Sequence, residues 1–301
     1  MYSSKPAPKN VDMGLATTIV KEAVKPDCSV ERIGQLAKAS PGFALRLLSS
    51  VNSAGLNGGH RISDVERACA MLGLRRLRNL ALSLVVSGMS PPGPLGATLL
   101  ANSIRRAVAA RAIAEALGLA DPDAHFMTGL FLELGLLALA SERPELAAEV
   151  LSGPARLRPL RERALQEVPH PETGAALADE YGLPDATLMA IHSHHDKTPP
   201  ADLIGQVAWL AERFASVFEG GEPKHLHQAA ETAGLQVGLD EATTGRVLEG
   251  IPGKVEEAGL VLDRDLGEQV CLETLERDAN RALIEMNESY ESIRSANRVS
   301  A

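Results

Sequence analysis

The chain has 301 residues, of which 45% are hydrophobic and only 3% are aromatic. This length is sufficient for one large domain or two smaller ones. A core poor in aromatic residues must be built from Leu, Ala, Val and Ile, which favours packing between helices. The formal net charge of −9, from 30 basic and 39 acidic residues, argues against extensive nucleic-acid binding. We therefore predict an all-α protein that has no nucleic-acid partner.

The cysteines and the apolar segments bear on the cellular compartment. Cys28, Cys69 and Cys271 are widely separated and form no CxxC motif, so no disulfide framework is indicated. Residues 1–10 lack the apolar core of a signal peptide. The stretch 77–89 is apolar, but it is interrupted by polar residues and is too short to span a bilayer. We expect a cytoplasmic protein without membrane insertion.

The first 90 residues predict a flexible arm, residues 1–10, followed by an N-terminal helical lobe, residues 11–90. Helices are expected over 12–25, after Ser29, and from Ser40-Pro41 to about Asn52, followed by a loop at Gly55–His60. The tetrad Ser63-x-x-Glu66 has the form of a capping box, and Gly73 is expected to break the helix that it begins. The apolar spacing predicts five buried leucines in this lobe: Leu45, Leu48, Leu72, Leu77 and Leu84.

A linker at Ser90–Pro94 is expected to separate this lobe from a second helical lobe, residues 95–219. Asp121-Pro122 predicts the start of a helix that runs to about Ala140. The other helices of this lobe are predicted over 95–117, 144–151 and 160–168, after His170-Pro171 and Leu183-Pro184, and over 202–218.

A second boundary is expected at Gly220-Gly221 and Pro223, and residues 224–301 are predicted to form an acidic helical extension. Residues 240–301 contain 14 acidic and 7 basic residues, a net charge of −7. The segment from Leu266 to Ile293 has the pattern of a surface helix or of a helix that awaits a partner.

Histidines are the residues best suited to chemistry in this chain. His170 precedes a predicted helix, and His192, His194 and His195 cluster at the end of the next one. Neighbouring residues on a helix point about 100° apart, so we expect only one of His194 and His195 to enter a given pocket. His225 and His227 form another pair, for which surface or core positions are the alternative to metal binding.

Several runs of residues together resemble the HDOD domain, the HD-related output domain of bacterial signalling proteins. The first two are Leu-Leu-x-x-x-Asn-Ser, ending at Ser53, and Leu-Gly-x-x-x-Leu-x-x-Leu, beginning at Leu72. The later ones are Asn102-Ser103, Gly129–Gly135, His170–Gly174 and Ala190–His195. The likeness covers roughly residues 15–218 and implies an all-α fold whose second lobe is similar to HD phosphohydrolases.

The metal-binding positions of the HD pattern depart from it. Asn102 stands at the first histidine position, Leu132 replaces the metal-binding histidine and Glu133 the adjacent aspartate, while Glu212 takes the last aspartate position. A leucine cannot bind a metal, and no Gly-Tyr-Pro motif follows the paired histidines. The resemblance therefore implies a degenerate site without catalysis and without a cofactor.

His170, His194 and His195 are retained in this degenerate site. His170 and His194 are the remaining candidate metal ligands, and they could bind weakly together with Glu133 and Glu212. The alternative is that the histidines form hydrogen bonds within the helical core.

Three functions follow as hypotheses. The first is a non-catalytic signal-transduction module that binds a bacterial signalling protein or a regulator in trans, through Arg75, Arg76 and Arg78 or through the acidic tail. These arginines could instead pair with acidic residues of the same chain. The second is a residual metal-dependent phosphohydrolase. The third is an effector that binds a nucleotide or a cyclic dinucleotide, with a phosphate held by an arginine of the predicted helix 95–117, where the candidates are Arg105, Arg106 and Arg111.

Overall fold

The structure, a computed structural model, describes residues 18–19, 21–22, 25, 27–39, 41–53, 62–219, 235–262, 264, 266–267, 269–275, 277, 281 and 284. Regular structure in these residues is helical throughout, which confirms the all-α prediction. The predicted arm, most of the predicted helix 12–25, the loop at Gly55–His60, the boundary at Gly220–Pro223 and the pair His225 and His227 lie outside the described residues.

The helices are α1 (Val30–Lys38), α2 (Pro41–Ser53), α3 (Val65–Met89), α4 (Pro94–Ala116), α5 (Pro122–Phe131), α6 (Leu134–Glu142), α7 (Pro144–Leu151), α8 (Arg158–Ala164), α9 (His170–Glu180), α10 (Asp185–Ser193), α11 (Leu203–Ser216) and α12 (Glu241–Leu262). A 3₁₀ turn at Ala155–Leu157 precedes α8.

Side-chain caps account for several helix starts. Ser29 accepts a hydrogen bond from the Arg32 amide, and Asp121 accepts one from the Ala124 amide, as the sequence predicts for these two starts. The predicted capping box at Ser63 is wrong. Asp64, one residue later, has the extended backbone of a cap residue and accepts from the Arg67 amide at 2.7 Å.

Burial in the first helices follows the helical period, with one exception among the predicted leucines. Leu72, Leu77 and Leu84 are buried, and Leu48 packs at the edge of the core. Leu45 is 51% exposed, so its predicted burial is wrong. The reason is that α2 turns the stripe Phe43, Leu47 and Val51 inward, and Leu45 lies off this stripe.

Helix α4 is the central element, because it packs against α5, α11 and α12 and is buried on almost every side. The close crossing of α4 and α5 depends on Gly129. A Cβ atom at that position would lie 2.6 Å from the Arg106 carbonyl oxygen and 2.9 Å from the Ala107 Cα. Any larger residue at Gly129 would therefore push α5 away from the middle of α4.

The predicted helix from Asp121 to about Ala140 is wrong as a single element, because it breaks at Leu132–Glu133 into α5 and α6. The break turns the Glu133 side chain into the protein, where it is fully buried. Among the described residues, Pro122–Glu142 is the segment long and apolar enough to cross a membrane, but 72% of its apolar window is buried inside the protein. Most of this apolar window therefore packs inside the protein.

Part of the C-terminal extension belongs to the core. Val247, Leu248, Ile251 and Val255 of α12 are buried, and α12 packs against α4. The predicted helix from Leu266 to Ile293 lies largely outside the described residues.

Candidate functional site

The residues that the sequence placed at the degenerate HD positions converge in the structure, with one exception. Asn102 comes from α4, Glu133 from the turn between α5 and α6, His170 from the start of α9, and Glu212 from α11. His194 and His195 follow α10. The exception is Leu132, which is fully buried in the hydrophobic core.

The centre of this cluster is Arg106, whose side chain has no exposed surface. Its guanidinium pairs with the carboxylates of Glu133, Glu212 and Glu219. Arg106 Nη2 lies 3.2 Å from Glu133 Oε1 and 3.1 Å from Glu212 Oε1. Arg106 Nε makes a second bond to Glu212, and Arg106 Nη1 pairs with Glu219. Nη1 also donates to the Asn102 carbonyl oxygen at 3.1 Å. Arg106 is thus a buried cation that joins α4 to α11 and to the turn at Glu133.

A second buried arginine completes this ion-pair network. Arg158 Nη1 lies 3.2 Å from Glu133 Oε2, and Arg158 Nη2 lies 2.6 Å from Glu219 Oε2. Glu133 and Glu219 are therefore each shared between two guanidinium groups. We refer to Arg106, Arg158, Glu133, Glu212 and Glu219 as the ion-pair network.

Within the network, the pKa values of Arg106, Glu133 and Glu212 are each shifted in the direction that favours the charged form. Burial alone lowers the pKa of Arg106, but Glu133, Glu212 and Glu219 outweigh it and hold that pKa well above its ordinary value. Burial alone raises the pKa of Glu212, but Arg106, above all, holds it well below its ordinary value. The pKa of Glu133 is lowered in the same way, by Arg106 and Arg158 against burial. Arg106, Glu133 and Glu212 are thus charged at neutral pH.

The histidines form the other half of the site. His170 Nδ1 lies 2.9 Å from Glu162 Oε2, and its Nε2 lies 3.1 Å from His195 Nε2. His194 Nδ1 lies 2.6 Å from the Ile191 carbonyl oxygen, so this nitrogen carries the proton and Nε2 presents a lone pair. By the same reasoning Glu162 places the proton of His170 on Nδ1.

Both neighbouring histidines enter the site, contrary to the prediction that only one would do so. The His194 and His195 ring centroids lie 4.2 Å apart, and both rings lie near His170. The angle of 100° applies inside a regular helix, whereas α10 ends at Ser193. Burial lowers the pKa of His194 to about 4 and holds that of His195 well below its ordinary value.

Among the described residues, Glu133, His170, His194 and His195 offer ligand atoms within 4.8 Å of one another and can be tested as a metal site. Glu133 Oε1 lies 3.7 Å from His170 Nε2 and 4.0 Å from Nε2 of both His194 and His195. Ligand atoms of a tetrahedral zinc site lie about 3.3 Å apart. Glu133 Oε1 is ion-paired with Arg106 Nη2, but neither this oxygen nor His194 Nε2 has a hydrogen-bond partner among the described residues. Donor type and spacing therefore fit a closed four-ligand site.

A catalytic HD-type centre does not fit the same residues. Such a centre needs a coordination position open to water or substrate, whereas these four side chains are 0–7% exposed and would fill a tetrahedral shell themselves. The carboxylates that would attract a divalent cation are already paired with Arg106 and Arg158. We therefore derive no metal-dependent step for this protein.

The remaining predicted residues lie elsewhere. Arg75 and Arg76 are exposed on α3 and make no ion pair with any residue that the structure describes. The side chain of Arg78 lies outside the described part of the chain. Arg111 pairs with Asp123 and Glu115, and Arg106 pairs with three carboxylates. Neither arginine is therefore free to hold a phosphate, although the sequence made both of them candidates.

Sequence reasoning missed Arg158, Glu162 and Glu219 and the central role of Arg106. One signal was available: Arg105 and Arg106 stand in the middle of a helix whose apolar residues are spread over all its faces. A charged residue in such a helix must meet an opposite charge or an amide inside the protein. The sequence did not indicate which carboxylates these would be.

The chain is similar to known proteins both in sequence and in structure. The HDOD domain family matches residues 12–197. An uncharacterized protein from Treponema pallidum (strain Nichols) is 28% identical over 179 residues, which make up 57% of this chain and 34% of that protein. The chain thus spans about a third of the length of this relative.

Solved structures of similar proteins share the fold. An HDOD domain protein with unknown function from Geobacter sulfurreducens superposes with a TM-score of 0.64 at 20% identity, covering 87% of this chain and 94% of that one. A Shewanella amazonensis SB2B protein, provisionally named a phosphohydrolase, gives 0.63 at 20% identity over 84% and 93%. A Marinobacter aquaeolei VT8 protein, provisionally named a signal transduction protein, gives 0.64 at 17% identity over 86% and 60%.

Proposed function

This chain belongs to the HDOD domain family, and from that premise we propose that it is a cytoplasmic, non-catalytic signal-transduction module. In this proposal it binds a bacterial signalling protein or a small regulator in trans. The proposal extends to the chain the role named for the Marinobacter aquaeolei protein of the same fold.

The ion-pair network is the observation that carries the proposal. Where an HD phosphohydrolase needs metal ions open to solvent, this chain places the fully buried guanidinium of Arg106 among three carboxylates. A guanidinium supplies positive charge and N–H donors, but it cannot lower the pKa of a bound water as a metal ion does. The arrangement is suited to holding α4, α11 and the turn at Glu133 in one geometry.

The exposed arginines of α3 support a role in binding. Arg75 and Arg76 follow the kink at Gly73, where φ is 72°. Both side chains reach solvent, and no described carboxylate pairs with them. Two adjacent guanidinium groups without a described carboxylate partner suit an acidic surface on a partner protein.

A residual metal-dependent phosphohydrolase is the second candidate, because Glu133, His170, His194 and His195 converge. The Shewanella amazonensis protein with this fold is provisionally named a phosphohydrolase. For this chain to act in that way, a metal would have to displace Arg106 from Glu133 and gain an open coordination position.

The two candidates are separated by metal analysis and by hydrolysis of phosphate mono- and diesters, including a cyclic dinucleotide, with added Mn²⁺ or Zn²⁺. We expect no stoichiometric zinc, iron or manganese in the purified protein, and no turnover that depends on the histidines. The informative variant is His170→Ala. The matched control is His192→Ala, which changes an exposed histidine of the same region.

Turnover that disappears in His170→Ala and persists in His192→Ala would establish the phosphohydrolase and sink the non-catalytic proposal. Near-equimolar metal with the same dependence but no turnover would overturn the expected absence of metal and establish a closed metal site. Equal background rates in the wild type and both variants would support the binding module.

A further inference from the structure

A buried guanidinium without a carboxylate partner lies beside the ion-pair network. Arg105 is 7% exposed and makes no ion pair with any residue that the structure describes. Its Nη1 donates to Asn102 Oδ1 at 2.9 Å, and its Nη2 donates to Gln269 Oε1 at 2.9 Å. Both acceptors are neutral amides. Arg105 therefore differs from Arg106, which contacts three carboxylates.

The positive charge of Arg105 is only partly balanced by its described surroundings. Burial lowers the pKa of Arg105 and the neighbouring Arg106 adds to this effect, while Glu219 opposes it. Glu219, however, is already bonded to Arg106 and Arg158. A guanidinium has five N–H donors, of which the hydrogen bonds to described residues use two. Buried charges are normally paired, so the remaining donors favour an anion.

A C-terminal strap, defined as the described residues within 264–275, covers Arg105. Arg264 anchors the strap to α3, since its Nε donates to Ser87 Oγ at 2.9 Å and its Nη2 to the Ser87 carbonyl oxygen at 3.1 Å. Leu266 is 8% exposed and packs in the core. The strap lies outside the residues that match the HDOD domain family, 12–197.

Gln269 is the strap residue in contact with the guanidinium, and it is only half-buried. Its Nε2 donates to the carbonyl oxygens of Leu266, at 3.1 Å, and Gly267, at 3.0 Å, which orients Oε1 toward Arg105. A neutral amide oxygen is a weaker acceptor for a guanidinium than an anionic oxygen. Gln269 thus occupies a position that a stronger acceptor from solvent can take.

We propose that Arg105, with Asn102 beside it and the strap above it, forms a binding site for a phosphate group, which displaces the Gln269 side chain. The planar fork of a guanidinium matches two phosphate oxygens, and the Asn102 amide can donate to a third. Inorganic phosphate and the phosphate of a nucleotide share this chemistry. The site needs neither a metal nor turnover, so it does not depend on the proposed function.

The test is titration with inorganic phosphate and with AMP, at ionic strength matched with chloride, by isothermal calorimetry and thermal melting. We expect saturable binding by the wild type and a melting temperature that rises with ligand. Arg105→Gln should weaken binding by about tenfold or more, because a charge-assisted hydrogen bond is lost. Gln269→Ala should bind more tightly. Tighter binding of AMP assigns a nucleotide source, and equal affinities assign free phosphate.

The matched control is Arg111→Gln, on the same helix, whose guanidinium is already paired with Asp123. Its affinity should equal that of the wild type. In phosphate-free buffer, Arg105→Gln should melt at or above the wild-type temperature, because it removes a buried charge that lacks an ionic partner. The proposal is overturned by unchanged affinity in Arg105→Gln, by absence of saturable binding in both the wild type and Gln269→Ala, or by a steep fall in the melting temperature of phosphate-free Arg105→Gln.

Discussion

Replacing Arg106 by glutamine tests the physical reasoning behind the ion-pair network. The substitution removes the arginine partner of Glu212 and leaves Glu133 and Glu219 with Arg158 alone, so three buried carboxylates share one guanidinium less. Removal of one partner of a buried ion pair costs about 3–5 kcal/mol, and three carboxylates place Arg106 at the upper end. At about 2–4 °C per kcal/mol, we expect the melting temperature to fall by about 10–20 °C.

The assay is thermal and chemical denaturation of Arg106→Gln beside Arg105→Gln, which changes the neighbouring buried arginine that pairs with no described carboxylate. The pKa values of Glu133 and Glu212 are depressed in the folded protein, so their stabilisation is present above the ordinary carboxyl pKa of about 4.3 and is lost as the pH falls through the folded values. The gap between the wild type and Arg106→Gln should therefore be widest near neutral pH and narrow in acid.

Metal ions provide a second readout of the same variant. Without the guanidinium, Glu133 is left beside His170, His194 and His195, and Arg106 no longer balances the negative charge of the buried carboxylates. Added Zn²⁺ should raise the melting temperature of Arg106→Gln more than that of the wild type. The reasoning is refuted if Arg106→Gln loses less than about 1 kcal/mol, the value of an exposed pair, or if zinc stabilises both proteins equally.

Two further predictions concern the surface and the pH dependence. Reversing Arg75 and Arg76 to glutamate should change stability by only about 0.5 kcal/mol and sharply reduce capture of the native partner; a large fall in the melting temperature would instead assign these arginines a structural role. The pKa of His194 is lowered to about 4 in the folded protein, whereas an ordinary histidine has a pKa of about 6.5. Between these two pH values, His194 therefore binds a proton in the unfolded chain but not in the folded protein. The free energy of unfolding should therefore fall by about 3 kcal/mol as the pH drops across this window. Urea denaturation at several pH values should show a smaller fall for His194→Gln. An equal fall in the wild type and the variant would contradict the lowered pKa of His194.

Local patterns in the sequence were sufficient for the fold class and the family. A chain rich in Ala and Leu and poor in aromatic residues predicted helices, and the short runs around Ser53 and Leu72 predicted the HDOD resemblance. Starts such as Ser29 and Asp121 were predictable because a cap depends on a side chain and an amide three residues away. The motif positions also grouped Glu133, His170 and Glu212 into one candidate site, and the structure places these residues around Arg106 and the histidines.

The partners of the buried charges were decided by tertiary structure alone. Arg106 bonds Glu212 across 106 positions and Glu219 across 113, a separation that no local periodicity encodes. The break at Glu133 was also decided by tertiary structure. Gly135, just after the break, passes the His170 backbone so closely that a Cβ atom on Gly135 would lie 2.2 Å from the His170 carbonyl oxygen. Helical hydrogen bonds are satisfied within four residues, whereas a buried charge is satisfied only by whatever the folded chain brings to it.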